Sequence, residues 1–255
     1  MALEQGNDED QEFGHRDPMT DEQRDALDHL GRLTETGRSG GDPAEQCVYE
    51  PGGSENGIQL FQMGATDADL RRFTVLPEWH HITLRECPVS DAGLKHLATQ
   101  KGLRFLDIGE TEVTSLHPIR ECVHLQQLWC DRLEQMTDRK AAALAGFQEL
   151  RFLDLSWAGI GDSTIKRLAS LPELRKLYLV GTRITDDGLR SIRRSPELEM
   201  LSLCWTGVTD EGLKHLYGVP KLRLLAIGET QISETGRASI QAACPELEVV
   251  DRFSY

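Results

Sequence analysis

The 255-residue chain has no apolar run approaching the length of a membrane span, few aromatic residues (6%), only 10 prolines and no basic excess. Each shortage excludes something. A membrane helix needs about 20 consecutive apolar residues, and acids stand at the N-terminus where a secretory leader would carry its apolar stretch. The formal charge is −14 and the pI near 5.0, which argues against nucleic acid or an anionic membrane as the main partner, because phosphate recognition needs a basic stripe. No glycine-rich phosphate loop is present. The expectation is a soluble protein of the cytoplasm.

The charge is unevenly spread. Residues 1 to 28 hold ten acids against Arg16 and Arg24, so −8 of the −14 lies there. The six cysteines, Cys47, Cys87, Cys122, Cys130, Cys204 and Cys244, would suggest disulfides in a secreted chain. Here Cys87 and Cys130 fall where equivalent segments place Thr or Leu, which suits small buried hydrophobes with free thiols. Cys204 falls on a strand position expected to face outward.

What the chain has in abundance is repetition. From Ile58 onward a pattern returns about every 24 residues, clearest in LRKLYLVGTRITDDGLRSI (Leu174 to Ile192) and LEMLSLCWTGVTDEGLKHL (Leu198 to Leu216). Aligned on one leucine position, Leu60, Leu84, Ile108, Cys130, Leu155, Leu179, Leu203 and Ile227 follow one another at steps of 24, 24, 22, 25, 24, 24 and 24. Such a period signals a solenoid. Within each unit the apolar spacing changes from two (Leu177, Leu179) to helical (Ile184, Leu189, Ile192), so a short strand precedes a turn and a helix. A ninth strand, Val249 to Arg252, is expected to close the series with Val250 in the first strand position. Thr185 or Asp186 is expected to cap its own helix, whose N-terminus also favours the acid.

The Ile/Val-Thr-Asp-x-Gly-Leu segments, such as Ile184 to Leu189 and Val208 to Leu213, resemble the leucine-rich repeat in its cysteine-containing subtype, over roughly residues 54 to 255. Degenerate copies begin at Ala65, Val89, Ile160 and Ile232. The resemblance implies an α/β right-handed horseshoe of about eight repeats, with a parallel sheet on the concave side and helices on the convex side. The third unit is two residues short and carries Pro118, so a turn or 3₁₀ segment is expected there.

Upstream, residues 1–19 read as a disordered acidic tail, 20–57 as an N-terminal cap and 58–255 as the repeat domain. Thr20 with Gln23 forms a capping-box pattern, and Ala26, Leu27, Leu30 and Leu33 share a helix face. Cys47-Val48-Tyr49 looks like a strand before a Pro-Gly turn. A cap would cover the core that a solenoid exposes at its first repeat. At the other end Asp251 and Arg252 discourage further strand pairing, with Phe253 and Tyr255 able to fold back.

In a strand written Leu-x-Leu-x-x, the residue between the leucines and the two after the second leucine face the concave side. Laying the units in register puts Trp129, Trp157, Tyr178 and Trp205 on these rows within about 15 Å, beside Asp107, Glu110, Asp131 and Asp154, with Arg132 as the nearby base. Aromatic anchors among carboxylates suit a protein partner with a basic, partly apolar segment. These nine residues are the candidate site. The competing expectation is that the aromatics pack against each other because they favour strands.

Catalytic constellations are poor: carboxylates such as Asp107 and Asp131 come without a nucleophile or oxyanion donors. His80, His81, His117 and His124 lack a metal-ligand spacing, and His96 and His215 occupy equivalent repeat positions. No cofactor is implied. The expected function is therefore a non-enzymatic scaffold binding protein on its concave face. The alternative is a structural subunit that uses its convex helices or C-terminal edge.

Overall fold

A computed structural model describes residues 19–36, 57–60, 64–76 and 78–252. The expected acidic tail up to residue 18, the strand at Cys47 to Tyr49 and the aromatic end at Phe253 and Tyr255 lie outside them.

Nine three-residue strands form one parallel sheet in sequence order: β1 (Gly57–Gln59), β2 (His81–Thr83), β3 (Phe105–Asp107), β4 (Gln127–Trp129), β5 (Phe152–Asp154), β6 (Lys176–Tyr178), β7 (Met200–Ser202), β8 (Leu224–Ala226) and β9 (Glu248–Val250). The central residue of each strand from Ile58 to Leu225 is buried, and the strand leucines stack from unit to unit into one continuous column. No unit could bury its two leucines alone, which is why the strands remain in strict sequence order. Val249 pairs with Leu225 and Val250 with Ala226. The expected register of the ninth strand is thus corrected by one residue: Val249 takes the core position, and Asp251 stands where other strands have their second leucine.

Helical segments return on the convex side: α1 (Asp21–Thr36) precedes the sheet, and α2 (Asp67–Leu70), α3 (Asp91–Leu94), α4 (Asp162–Leu168), α5 (Asp186–Ile192), α6 (Asp210–Leu213) and α7 (Glu234–Ala243) belong to the repeats. The third unit has only a three-residue 3₁₀ turn, His117–Ile119, with Pro118 inside it, as its shortened sequence requires. The fourth has a 3₁₀ turn at Ala142–Gly146.

At the helix starts the threonine is the cap, as expected for Thr185 or Asp186. Thr185 and Thr209 accept from the second N–H of their own helices, but the adjacent aspartate does not cap its own helix. It reaches the next repeat: Asp162 accepts from the Thr185 amide (2.9 Å) and hydroxyl (2.7 Å), and Asp186 does the same to Thr209. Asp67 holds Ser90 and Asp210 holds Ser233 in the same way. The motif glycine makes room for this rung. A Cβ on Gly93, Gly188, Gly212 or Gly236 would run into the carboxylate of the preceding repeat's Asp67, Asp162, Asp186 or Asp210.

At the N-terminal side, Thr20 and Gln23 form the reciprocal capping box of α1 (2.9 and 3.2 Å). Its expected apolar face is the one turned inward, with Ala26 and Leu30 buried and Leu27 and Leu33 packed against the core. His29 bonds Asp69 of α2 at 2.6 Å, and Arg72 reaches back to Asp25 at 3.1 Å.

Candidate functional site

The chain leaves strands β2 to β8 by turns of one kind. The carbonyl of the second strand leucine accepts the amide three residues on, as in Leu84 with Cys87, Leu155 with Ala158 and Leu179 with Thr182. The third residue of that turn is left-handed: Glu86, Glu110, Arg132, Trp157, Trp205 and Glu229 have φ of 57° to 59°, and Gly181 has φ 66°. Glycine or asparagine suits such a position, and a bulky side chain there is a genuine outlier. The amides of these residues continue the ladder beyond the strands, Trp157 to the Val180 carbonyl (2.6 Å) and Trp205 to that of Gly228 (3.0 Å). Six side chains are thereby aligned along the concave rim, and all six are exposed.

A concave cavity of about 740 Å³ lies beside this rim, and all the candidate residues except Tyr178 line it. The structure divides the expected aromatic patch in two. Trp129 packs on Phe152 (ring centroids 4.3 Å apart), and Phe152 on Tyr178 (5.4 Å). Tyr178 is 8% exposed, its hydroxyl directed at the Met200 sulfur, 3.1 Å away. That group is a self-packed floor. Trp157 and Trp205 form the other group, 6.4 Å apart with a 44° tilt, and they are 42% and 57% exposed. Gly181 stands between them on the rim, and the Trp157 ring covers the space where its Cβ would be.

The acids are also not equivalent. Arg85, whose importance sequence reasoning missed in favour of Arg132, sits among Asp107 (3.0 Å), Glu110 (3.1 Å) and Asp131. Among the described residues Arg132 pairs with Glu110, at 3.6 Å. Burial works against the Arg85 charge, but the surrounding carboxylates outweigh it and hold the guanidinium well above its usual pKa. Arg85 thus answers much of the negative charge of these carboxylates. The signal was available in its place one residue after Leu84, on a concave row with Asp131.

Asp107 and Asp154 are set in the floor, where each accepts the amide two residues on: Gly109 at 2.9 Å and Ser156 at 2.8 Å. Burial raises the Asp107 carboxyl above its usual range despite that bond and Arg85. Asp154 is 2% exposed, and burial pushes it up to about 6 against the pull of Ser156, with Asp131 adding to the rise. Cys204 lines the cavity as expected but is buried, its thiol donating to the Asp251 carbonyl at 3.1 Å. The Cys130 thiol, deep in the core among Asp107, Asp131 and Asp154, is pushed well above its ordinary pKa by burial.

Parallel three-residue strands in sequence order, one inward-leucine column and the shared turn after β2 to β8 leave one architecture. It is the leucine-rich repeat fold. A family profile described as Leucine Rich repeat matches residues 148–169 and 171–192, the fifth and sixth units. Solved structures share the leucine-rich repeat fold: internalin C2 from Listeria monocytogenes str. 4b F2365 (23% identity, TM-score 0.54, covering 76% of this chain and 69% of that one) and an internalin, inlF, of the same strain (16%, 0.51, 74% and 71%). A leucine-rich repeat protein of Leptospira interrogans is similar at 16% identity and TM-score 0.50, with 71% of this chain and 62% of that chain covered. No curated protein sequence matches. Leucine-rich repeat proteins generally serve as interaction scaffolds, and among the described residues no helix is long and apolar enough to cross a membrane.

Proposed function

We propose that the protein is a non-enzymatic scaffold that captures a protein partner on its concave face, and that the captured segment is basic and partly apolar. One observation carries this reading: Trp157 and Trp205 stand exposed and in contact on the concave rim, in a backbone conformation that costs about 1–2 kcal/mol per residue. The same left-handed turn recurs at Glu86, Glu110, Arg132 and Glu229, so what singles out this pair is two exposed aromatic faces side by side. Exposed tryptophans are also the side chains from which binding hot spots are built. The cavity lining also offers an exposed carboxylate at the rim, Glu229, with charge of the right sign for a basic segment.

The test is capture of partner proteins by the full chain and by a Trp157→Gly/Trp205→Gly double variant, with glycine chosen because it accepts the left-handed turn. The reading expects a variant that stays folded, with thermal unfolding no lower than that of the natural chain, and loss of the captured protein by at least tenfold, each anchor being worth about 2 kcal/mol or more. Undiminished capture by the folded variant would remove the concave face from consideration. The structural-subunit reading would then gain, since β9 pairs on one side only and leaves Glu248 exposed with Val249 and Val250 half-buried. Native mass measurement would detect the resulting oligomer.

A further inference from the structure

Two clusters share the concave face, and their charges are disposed differently. Around Arg85, three carboxylates are already engaged, so a basic group arriving there would meet acids with their charge largely answered. Asp251 is likewise taken, by Arg237. Along the rim the order is Glu110, Arg132, Trp157, Gly181, Trp205, Glu229, all left-handed. Glu229 is exposed and takes part in no ion pair among the described residues, and its rung follows that of Trp205, whose amide bonds the Gly228 carbonyl. The tryptophan pair therefore has a cation on one flank and an unanswered carboxylate on the other.

From this juxtaposition we infer that the Trp157–Trp205 pair is an arginine-reading subsite: a guanidinium of the bound segment lies on the tryptophan faces with Glu229 as its counter-charge, and Arg132 repels it from the opposite flank. The inference rests on the protein-capture reading and sharpens it. Tryptophan offers the best face for a cation, and a planar guanidinium both stacks on it and bonds a carboxylate edge. An ammonium can do the second but stacks poorly. The self-paired acids around Arg85 are then a support that holds strands together, not the point of charge recognition.

The experiment uses fluorescein-labelled hexaarginine and hexalysine with the full chain, read by anisotropy at moderate salt. Hexaarginine should bind more tightly than hexalysine, and Trp205→Gly should weaken hexaarginine by about three- to tenfold, the worth of a partly desolvated cation–π contact. Glu229→Lys should weaken it further than Glu173→Lys, which makes the same change of net charge on a different edge of the sheet. Arg132→Gln should strengthen it. Equal losses for Glu229→Lys and Glu173→Lys would show attraction by overall charge alone and overturn the subsite. So would hexaarginine binding that ignores Trp205→Gly. Absence of hexaarginine binding also overturns it, while the double-glycine capture experiment judges the scaffold reading separately.

Discussion

At the residue scale the unusual feature is a row of large side chains in left-handed turns. Glu86 occupies such a turn (φ 57°) outside the tryptophan pair, so Glu86→Gly should relieve strain with no binding cost. The relief of about 1–2 kcal/mol is partly offset by the roughly 0.5–1 kcal/mol that glycine loses in chain entropy. A net gain of about 0.5–1 kcal/mol in urea unfolding is expected. Asp154 gives a pH signature of opposite sense to most carboxylates. Its folded pKa, about 6, lies above the unfolded value, so the folded state holds the proton more tightly and stability falls as pH rises through that interval. Asp154→Asn, which can keep the bond from the Ser156 amide, should stabilise by about 1–3 kcal/mol at pH 7. The advantage should shrink toward zero by pH 4, and urea titrations at the two pH values measure it. Asp67, Asp138 and Asp210 run the other way: hydrogen bonds to the next repeat outweigh their burial and lower their pKa. Their stabilisation is present above the unfolded pKa and is lost as pH falls through the folded one.

At the scale of elements, the Thr-Asp-x-Gly segment is a joint between repeats as much as a helix start. The motif and its helix were legible from spacing, and so was the preference for an acid. The destination of the carboxylate was not, because a residue 23 or so positions downstream becomes its neighbour only once the strands stack. Asp162 and Gly188 form the cleanest test, since the glycine lacks a Cβ where the carboxylate lies. Asp162→Ala should cost about 1–2 kcal/mol through two lost hydrogen bonds. Gly188→Ala should be destabilising in the natural chain. In the Asp162→Ala background it should turn stabilising by about 0.5–1 kcal/mol, as alanine improves the helix. A double-mutant cycle by denaturant unfolding reads this coupling.

For the whole molecule the weak place is between the third and fourth units. Asp91 still holds Thr114 and Ser115, but the next acid position is Ser115, whose hydroxyl accepts from the His117 amide of its own unit and makes one long bond across, to the Lys140 carbonyl at 3.4 Å. The carboxylate ladder resumes at Asp138, which bonds Gly161 and Thr164. On the opposite face Arg85 reaches from the turn after β2 to Asp131 after β4 and bridges this interruption. In a solenoid each interface supports only its neighbours, so Arg85→Ala should do more than cost about 3 kcal/mol for acids left crowded together. Hydrogen exchange of amides in Thr114–Arg120 should accelerate relative to those of Ile184–Ile192, and thermal unfolding should broaden or split. A single sharp transition with uniform exchange would show that Arg85 is not a clamp.

Periodicity alone determined the number of repeats, the apolar column, the short third unit and the shared face of Trp129, Trp157, Trp205 and the acids, because those follow from which residues must be buried and how often. The parallel sheet on a concave side is what the leucine-rich repeat resemblance implied. Register at the ninth strand slipped by one residue because Val249 and Val250 are both apolar and only pairing with Leu225 chooses between them. The partition of the concave face belongs to tertiary structure. Arg85 and Asp131 are 46 residues apart, and whether Tyr178 is floor or rim depends on Phe152 and Met200 from adjoining strands. A linear pattern fixes the side on which a residue emerges. Which charges are already answered, and which tryptophans remain open, is settled only by the neighbours that stacking supplies.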